Sequence, residues 1–136
     1  MPLYTSSATQ LVASGDNVAF DNAPCHSLFA YHRRGGSSVL VFRPGIYQVT
    51  FSANVADTSA STNTSVSFAI TENGNNISSA TSVVTIGSET EIENLHAKTL
   101  ITVPRGASVS VGVRNLSADS ITVTNASLIV EVIRRV

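Results

Sequence analysis

Charge is scarce in this chain. Lys, Arg, Asp and Glu make up 12% of its 136 residues, about half of the ~25% usual in soluble domains. Eight basic and nine acidic residues leave a formal net charge of −1. That balance excludes long-range electrostatic capture of nucleic acid or of an anionic membrane as the organising function. A single cysteine, Cys25, excludes an intrachain disulfide. No apolar run approaches the ~20 residues of a membrane-spanning helix. Met1-Pro2-Leu3-Tyr4-Thr5 has neither the basic nor the apolar region of a secretory signal. The expectation is therefore synthesis in the cytoplasm, with any external location reached by another route, such as lysis. No stretch repeats with a period of 20–50 residues, which disfavours a solenoid.

In place of charge stand Ser, Thr and Asn, about a third of the chain. With 43% apolar residues, the composition is that of a folded body rather than a disordered one. The length suits one domain, 1–136, able to hide roughly two-thirds of its unfolded surface. Such a domain must be held by its core and by contacts between copies.

The strongest pattern follows Pro44-Gly45. Tyr47, Val49, Phe51, Ala53 and Val55 alternate with Ile46, Gln48, Thr50, Ser52 and Asn54, which is the signature of a half-buried strand. The same grammar returns at Val103-Pro104-Arg105-Gly106, followed by Val109, Val111 and Val113. Shorter strands are predicted at 17–20, 27–31, 39–42, 66–70, 82–86, 121–124 and 128–133. Residues 1–12 form an arm or a first edge strand. Asn73-Gly74 marks a two-residue hairpin turn. Ser88-Glu89-Thr90-Glu91 has the form of a helix capping box, but Thr99 to Val103 is strand-like, so 94–103 is assigned as a strand with a helical turn near 89–93 as the alternative. Nine or ten short strands predict an all-β, two-sheet antiparallel jelly roll. Shared alternation places Phe20, Phe29, Val41, Tyr47, Val49, Phe51, Val66, Phe68, Ile70, Ile101, Val109, Val111, Val113, Ile121, Val123 and Val130 in its core.

Five segments in order carry a family resemblance: Asn-Val-Ala-Phe at 17–20, Pro-Gly-Ile-Tyr-Gln-Val-Thr-Phe at 44–51, Val-Ser-Phe-Ala-Ile-Thr-Glu-Asn-Gly at 66–74, Val-Pro-Arg-Gly-Ala-Ser-Val-Ser-Val at 103–111 and Ala-Ser-Leu-Ile-Val-Glu-Val-Ile at 126–133. Over residues 10–136 the chain resembles the tumour necrosis factor/complement C1q jelly-roll superfamily. It is most similar to the bacterial and phage branch, which includes the C-terminal domains of collagen-like spore-surface glycoproteins. The resemblance implies compact homotrimers displayed on surfaces and acting by adhesion, decoration or receptor contact. The chain departs from the spore proteins in having no Gly-X-Y stem, and a stand-alone version resembles phage capsid decorations or head fibres. Anchoring would then fall to residues 1–12 or to the base of the trimer.

Candidate sites for chemistry are sparse. Cys25, His26, His32 and His96 are zinc-type ligands, but Cys25 and His26 are adjacent and point to opposite strand faces. Adjacency also denies them the geometry of a nucleophile–base pair. A cupin-like enzyme would need inward-facing His and carboxylate clusters, and the three histidines are scattered. No catalytic residue, metal or other cofactor is expected. Glu89, Glu91 and Glu93 would share a strand face and are the one calcium candidate, although three like charges also serve to block edge-to-edge pairing. Arg33-Arg34 and Arg134-Arg135 are basic pairs, solvated or set against an acidic capsid. Four Asn-x-Ser/Thr triplets begin at Asn63, Asn76, Asn115 and Asn125, and chance explains them in so Asn- and Ser-rich a chain. Of Tyr4, Tyr31 and Tyr47, the third belongs to the core, and Tyr31 is the candidate for stacking on a sugar or receptor.

The expected function is a non-enzymatic homotrimer on a virion or particle surface. The alternative is a receptor- or glycan-binding module on a phage tail or on a bacterial or spore surface. The expected interface consists of small or apolar side chains turned away from the core: Ser65, Ser67 and Ala69, then Ser110, Gly112 and Arg114, and finally Ile129, Glu131 and Ile133. Glu131 would there need a partner, Arg114 or Arg134, because a lone buried carboxylate is costly.

Overall fold

The computed structural model describes residues 3–20, 29–32, 36–58 and 63–135. Within them run nine strands: β1 (Leu3–Val12), β2 (Ala30–His32), β3 (Ser38–Val41), β4 (Gly45–Ala56), β5 (Thr64–Glu72), β6 (Asn75–Ile86), β7 (Glu93–Val103), β8 (Val109–Asn115) and β9 (Ile121–Arg135). They form two antiparallel sheets, a four-stranded one in the order β1-β9-β4-β7 and a five-stranded one in the order β2-β3-β8-β5-β6. The jelly roll expected from the alternation is the observed architecture. Cys25, His26, Arg33 and Arg34 lie outside the described residues.

The core fills the space between the sheets. Every residue of the predicted core set is buried. β4 alternates without a break from Gly45 to Ala56, so one face of the strand is apolar and closed while the other carries Ile46, Gln48, Thr50, Ser52, Asn54 and Ala56 outward. Phe51 from one sheet stacks on Phe68 from the other, with ring centroids 6.2 Å apart. Such a pair contributes about 0.5–1.5 kcal/mol beyond its area.

Turns follow the residues that permit them. Asn73 and Gly74 take φ of 51° and 84° between β5 and β6, the left-handed pair that matches the twist of a two-residue hairpin. The turn then folds onto β8: the Asn73 N–H donates to the Ser110 carbonyl at 2.7 Å, and the Ser110 N–H donates to Asn73 Oδ1 at 2.9 Å.

Three expectations need correction, and the assignment of 94–103 as strand holds. Residues 121–124 and 128–133 are parts of one strand, because Asn125 sits at φ 52° and absorbs one extra residue between the pairs Ser52/Ser127 and Asn54/Thr124. Asn tolerates that conformation at a bulge better than most residues. β6 begins at Asn75, not near residue 82, because a sheet-edge strand can form from polar residues with no buried alternation. Residues 17–20 make only one isolated bridge, Asn17 to Arg114, although the N–H groups of Val18 and Phe20 are bonded to the carbonyls of Val113 and Gly36. The capping-box segment builds a single turn: the Glu91 N–H donates to the Ser88 carbonyl, and the Glu91 carboxylate accepts from the Gly87 N–H at 3.0 Å. β-branched Thr99, Ile101, Thr102 and Val103 then favour strand.

The sheets are tied together at one end by two amide side chains. Asn115, fully buried, donates from Nδ2 to the carbonyls of Val12 at 3.0 Å and Asp119 at 3.1 Å, while its Oδ1 accepts from the Ser117 N–H at 2.8 Å. Gln10 takes the place of a backbone partner for Ala19, accepting its N–H at 2.9 Å and donating to its carbonyl at 2.7 Å.

Phe68→Ala is expected to lower stability by about 3–5 kcal/mol in denaturant melts; a loss under 1 kcal/mol would mean that the Phe51–Phe68 contact is not central. Asn115→Asp places a carboxylate against two carbonyls and removes both donors. The introduced group should titrate above the ordinary carboxylate range in the folded state, so the variant should be destabilised at neutral pH and regain stability as pH falls towards 4. A melting temperature independent of pH between about 4 and 7, relative to the parent, would contradict this.

Candidate functional site

Tyr47 explains why Pro44-Gly45-Ile46-Tyr47 is the clearest pattern in the sequence. Its hydroxyl reaches back and donates to the Arg43 carbonyl at 2.7 Å, closing a loop around the turn. Its ring packs against Phe29 with centroids 5.1 Å apart. Gly45 is required because a Cβ there would lie 2.7 Å from the Arg134 carbonyl oxygen. The turn is thus pinned to the end of β9. Burial pushes the Tyr47 phenol above its ordinary value, while the guanidinium groups of Arg135 and Arg43 pull partly the other way.

The expected interface set is divided by the fold. Ser65, Ser67, Ala69, Ser110, Gly112 and Arg114 belong to β5 and β8 in the five-stranded sheet, whereas Ile129, Glu131 and Ile133 belong to β9 in the four-stranded sheet. The two groups face opposite sides of the sandwich. The first group is largely engaged within the chain. Ala69 is 0% exposed and Gly112 is buried, with Asn17 Nδ2 and the Ser37 carbonyl 3.1 Å from where a Cβ would stand. Arg114 donates to Asn76 Oδ1 at 3.0 Å and sits on the wrong sheet to serve Glu131. Glu131 is exposed in the isolated chain.

The second group lies on a continuous face. The register of β9, β4 and β7 sets Glu131, Gln48 and Leu100 in one row; Ile129, Thr50 and Lys98 in the next; then Ser127, Ser52 and His96. Gln48, Thr50, Ser52, Ser127 and Ile129 are each half-buried. Leu100 and Ile133 are exposed apolar side chains at 59% and 54%. This platform of small, mostly uncharged groups with apolar points is the candidate functional surface.

The calcium candidates do not converge. Glu89 and Glu91 lie in the turn before β7, Glu91 is engaged with the Gly87 N–H, and only Glu93 is on the strand. Among the described residues no three His, Cys, Asp or Glu side chains are grouped to hold a metal. Tyr31 is exposed and pairs with exposed Leu40 at the edge of the five-stranded sheet. A cavity of about 150 Å³ lies at the margin of the four-stranded sheet, lined by Asn54, Val55, Ala56, Ile92, Thr122 and Thr124.

Asn115 is the residue that sequence reasoning missed. Its triplet with Leu116 and Ser117 matches a glycosylation pattern, but the Asn115 side chain is fully buried and turned onto the Ser117 N–H. The signal was there: 115 continues the core-facing series 109, 111, 113.

No protein-family model and no curated protein sequence matches the chain. Solved structures do. The globular domain of zebrafish complement 1qA protein superimposes with a TM-score of 0.73 at 12% identity, covering 99% of this chain and 98% of that one. The Eiger TNF structure from S. frugiperda gives 0.71 at 14% identity, over 97% and 92%. Murine APRIL at pH 5.0 gives 0.67 at 10% identity, over 96% and 98%. The fold is therefore the C1q and TNF-type jelly roll along the whole chain, and sequence identity this low carries the likeness no further than the fold.

Tyr47→Phe should cost about 1 kcal/mol at pH 7 through the lost bond to Arg43. The folded parent holds the phenolic proton more tightly than the unfolded chain does, so its stability should fall as pH rises past about 10. The variant should fall less steeply there. Parallel curves for the two proteins would contradict the burial of the phenol.

Proposed function

We propose that this chain is a non-enzymatic structural module that assembles as a homotrimer through the outer face of β9, β4 and β7. It serves as an exposed component of a phage or phage-like particle, as a capsid decoration or head fibre. One observation carries the assembly: the outer face of the four-stranded sheet presents mostly small, uncharged side chains, with Glu131 and Lys98 as its charges, Ile129 half-buried among them and Leu100 and Ile133 exposed. A face of this kind gains by being covered, and closed cyclic symmetry covers it without producing fibres. The particle-surface role is supported by the neutral, hydroxyl- and amide-rich composition and by the resemblance to surface-displayed jelly rolls. Exposed Tyr31 beside Leu40 favours a second reading, a contact for a receptor or glycan at the edge of the five-stranded sheet.

Light scattering coupled to size exclusion should give three times the 14.2 kDa chain mass at micromolar protein. Ile129→Asp should yield monomers, whereas Ser65→Asp on the opposite face should leave the trimer intact. A monomeric parent would overturn the assembly, and an intact Ile129→Asp trimer would place its interface elsewhere. Mass spectrometry of purified particles should find the chain, and its absence from them would remove the particle role.

A further inference from the structure

Charges that are spread along the sequence are sorted by the fold. Gly45 pairs with Val103 on one side and Arg135 on the other. Arg43 stands two residues before Gly45, Arg105 stands two residues after Val103, and Arg134 is opposite Ile46. Four exposed guanidinium groups thus gather at one end of the sandwich. No described carboxylate forms an ion pair with any of them. Glu72, next to the β5–β6 turn, and Glu131, opposite Gln48, are the described carboxylates nearest this end.

Among the described residues the opposite end is acidic. Val55 pairs with Glu93, and the adjoining β6–β7 turn holds Glu89 and Glu91. Asp16 follows β1, and Asp119 lies in the connection from β8 to β9, whose first residue, Ile121, pairs with Val12 at the end of β1. Lys98 occupies the body between, and Arg114, bridged to Asn17, lies next to Asp16 with its guanidinium on Asn76. Each end also exposes apolar side chains. Phe42 stands among the arginines at 42% exposure, and Leu11 and Ile92 stand at the acidic end at 68% and 66%. Ile92 forms one wall of the cavity that Val55 and Ala56 also line.

We infer that the basic end of one copy docks on the acidic end of the next, so that copies stack head to tail. The occupant is a second copy because the complementary surface is on the same molecule, in charge and in apolar points alike. Guanidinium forks match carboxylates bidentately. Aromatic and Arg side chains with no Lys among them make the composition of an interface centre rather than of a solvated rim. The contact joins two different patches, so it propagates as a linear array rather than closing. It leaves the outer face of β9, β4 and β7 free and does not require the three-fold assembly. Within a trimer every joint would be made three times, which strengthens it without any new contact.

Sedimentation velocity and light scattering on the full chain test this at about 20 mM and about 0.5 M NaCl, where the screening length falls from about 20 Å to about 4 Å. The expected result is a mass that climbs with concentration to several times the unit at low salt and returns to the unit at high salt. Arg43→Glu with Arg105→Glu should abolish the growth, and so should Asp16→Lys with Glu89→Lys, each with an unchanged unit mass and thermal melt. Mixing the two variants, one keeping the parental acidic end and the other the parental basic end, should restore one joint and give a complex of twice the unit mass. Absence of growth at low salt, growth that persists in the Arg43→Glu/Arg105→Glu variant, or folded variants that fail to pair on mixing would each overturn the proposal. A trimer that does not grow would remove the stacking alone; a monomer that grows would remove the trimer and leave the stacking.

Discussion

The two sheets share no hydrogen-bonded strand, so their alignment depends on what crosses between them. At one end that crossing is polar. Asn115, at the last position of β8, holds the carbonyl that closes β1 and the connection leading into β9. Its backbone does the same for the segment between β1 and the isolated bridge: the Asn115 N–H donates to the Asp16 carbonyl and its carbonyl accepts from the Gly15 N–H, both at 2.9 Å. A buried amide with every group satisfied is more specific than an apolar residue of equal size, because only one arrangement of the strands satisfies it. With that end fixed, the apolar faces of β4, β5, β8 and β9 can meet at a single offset, and the Phe51–Phe68 contact follows.

The opposite end is held differently. There Tyr47 ties its own turn to Arg43, Gly45 admits the close approach of β9, and the Asn73-Gly74 hairpin folds down onto Ser110. These are local devices that use turn residues. The polar end uses side chains brought together from residues about a hundred positions apart in sequence. The contrast accounts for what could be read in advance. The strand after Pro44-Gly45, the hairpin at Asn73 and the buried set were legible because each rests on neighbours in sequence. The edge strand β6, the reach of β9 through Asn125 and the hub at Asn115 were not, because each is decided by a partner strand.

The candidate surface was half legible for the same reason. Outward-facing positions on β5, β8 and β9 follow from alternation alone, but alternation does not say which strands share a sheet. Ile129, Glu131 and Ile133 fall on the open platform. Ala69, Gly112 and Arg114 have the same outward parity, yet they are covered or engaged by Asn17, Ser37 and Asn76. Glu89, Glu91 and Glu93 look like a row only if the strand begins four residues earlier than it does.

The bulge at Asn125 behaves like a frameshift. Before it, the odd-numbered residues Ile121 and Val123 face the core; after it, the even-numbered Ala126, Leu128 and Val130 do. β1 changes frame opposite the same point, burying Thr5 and Ser7 and then Val12, with Ala8 and Thr9 both turned out. Deleting one residue there would restore an unbroken alternation on paper. Both halves of β9 would then keep facing the core opposite β4, and the mismatch would pass to β1, whose change of frame at Ala8 and Thr9 would meet an unbroken strand. The irregularity is what keeps the two halves of the longest strand reading the same core, and β1 and β9 carry it together, so a change of length in one would leave the other out of step.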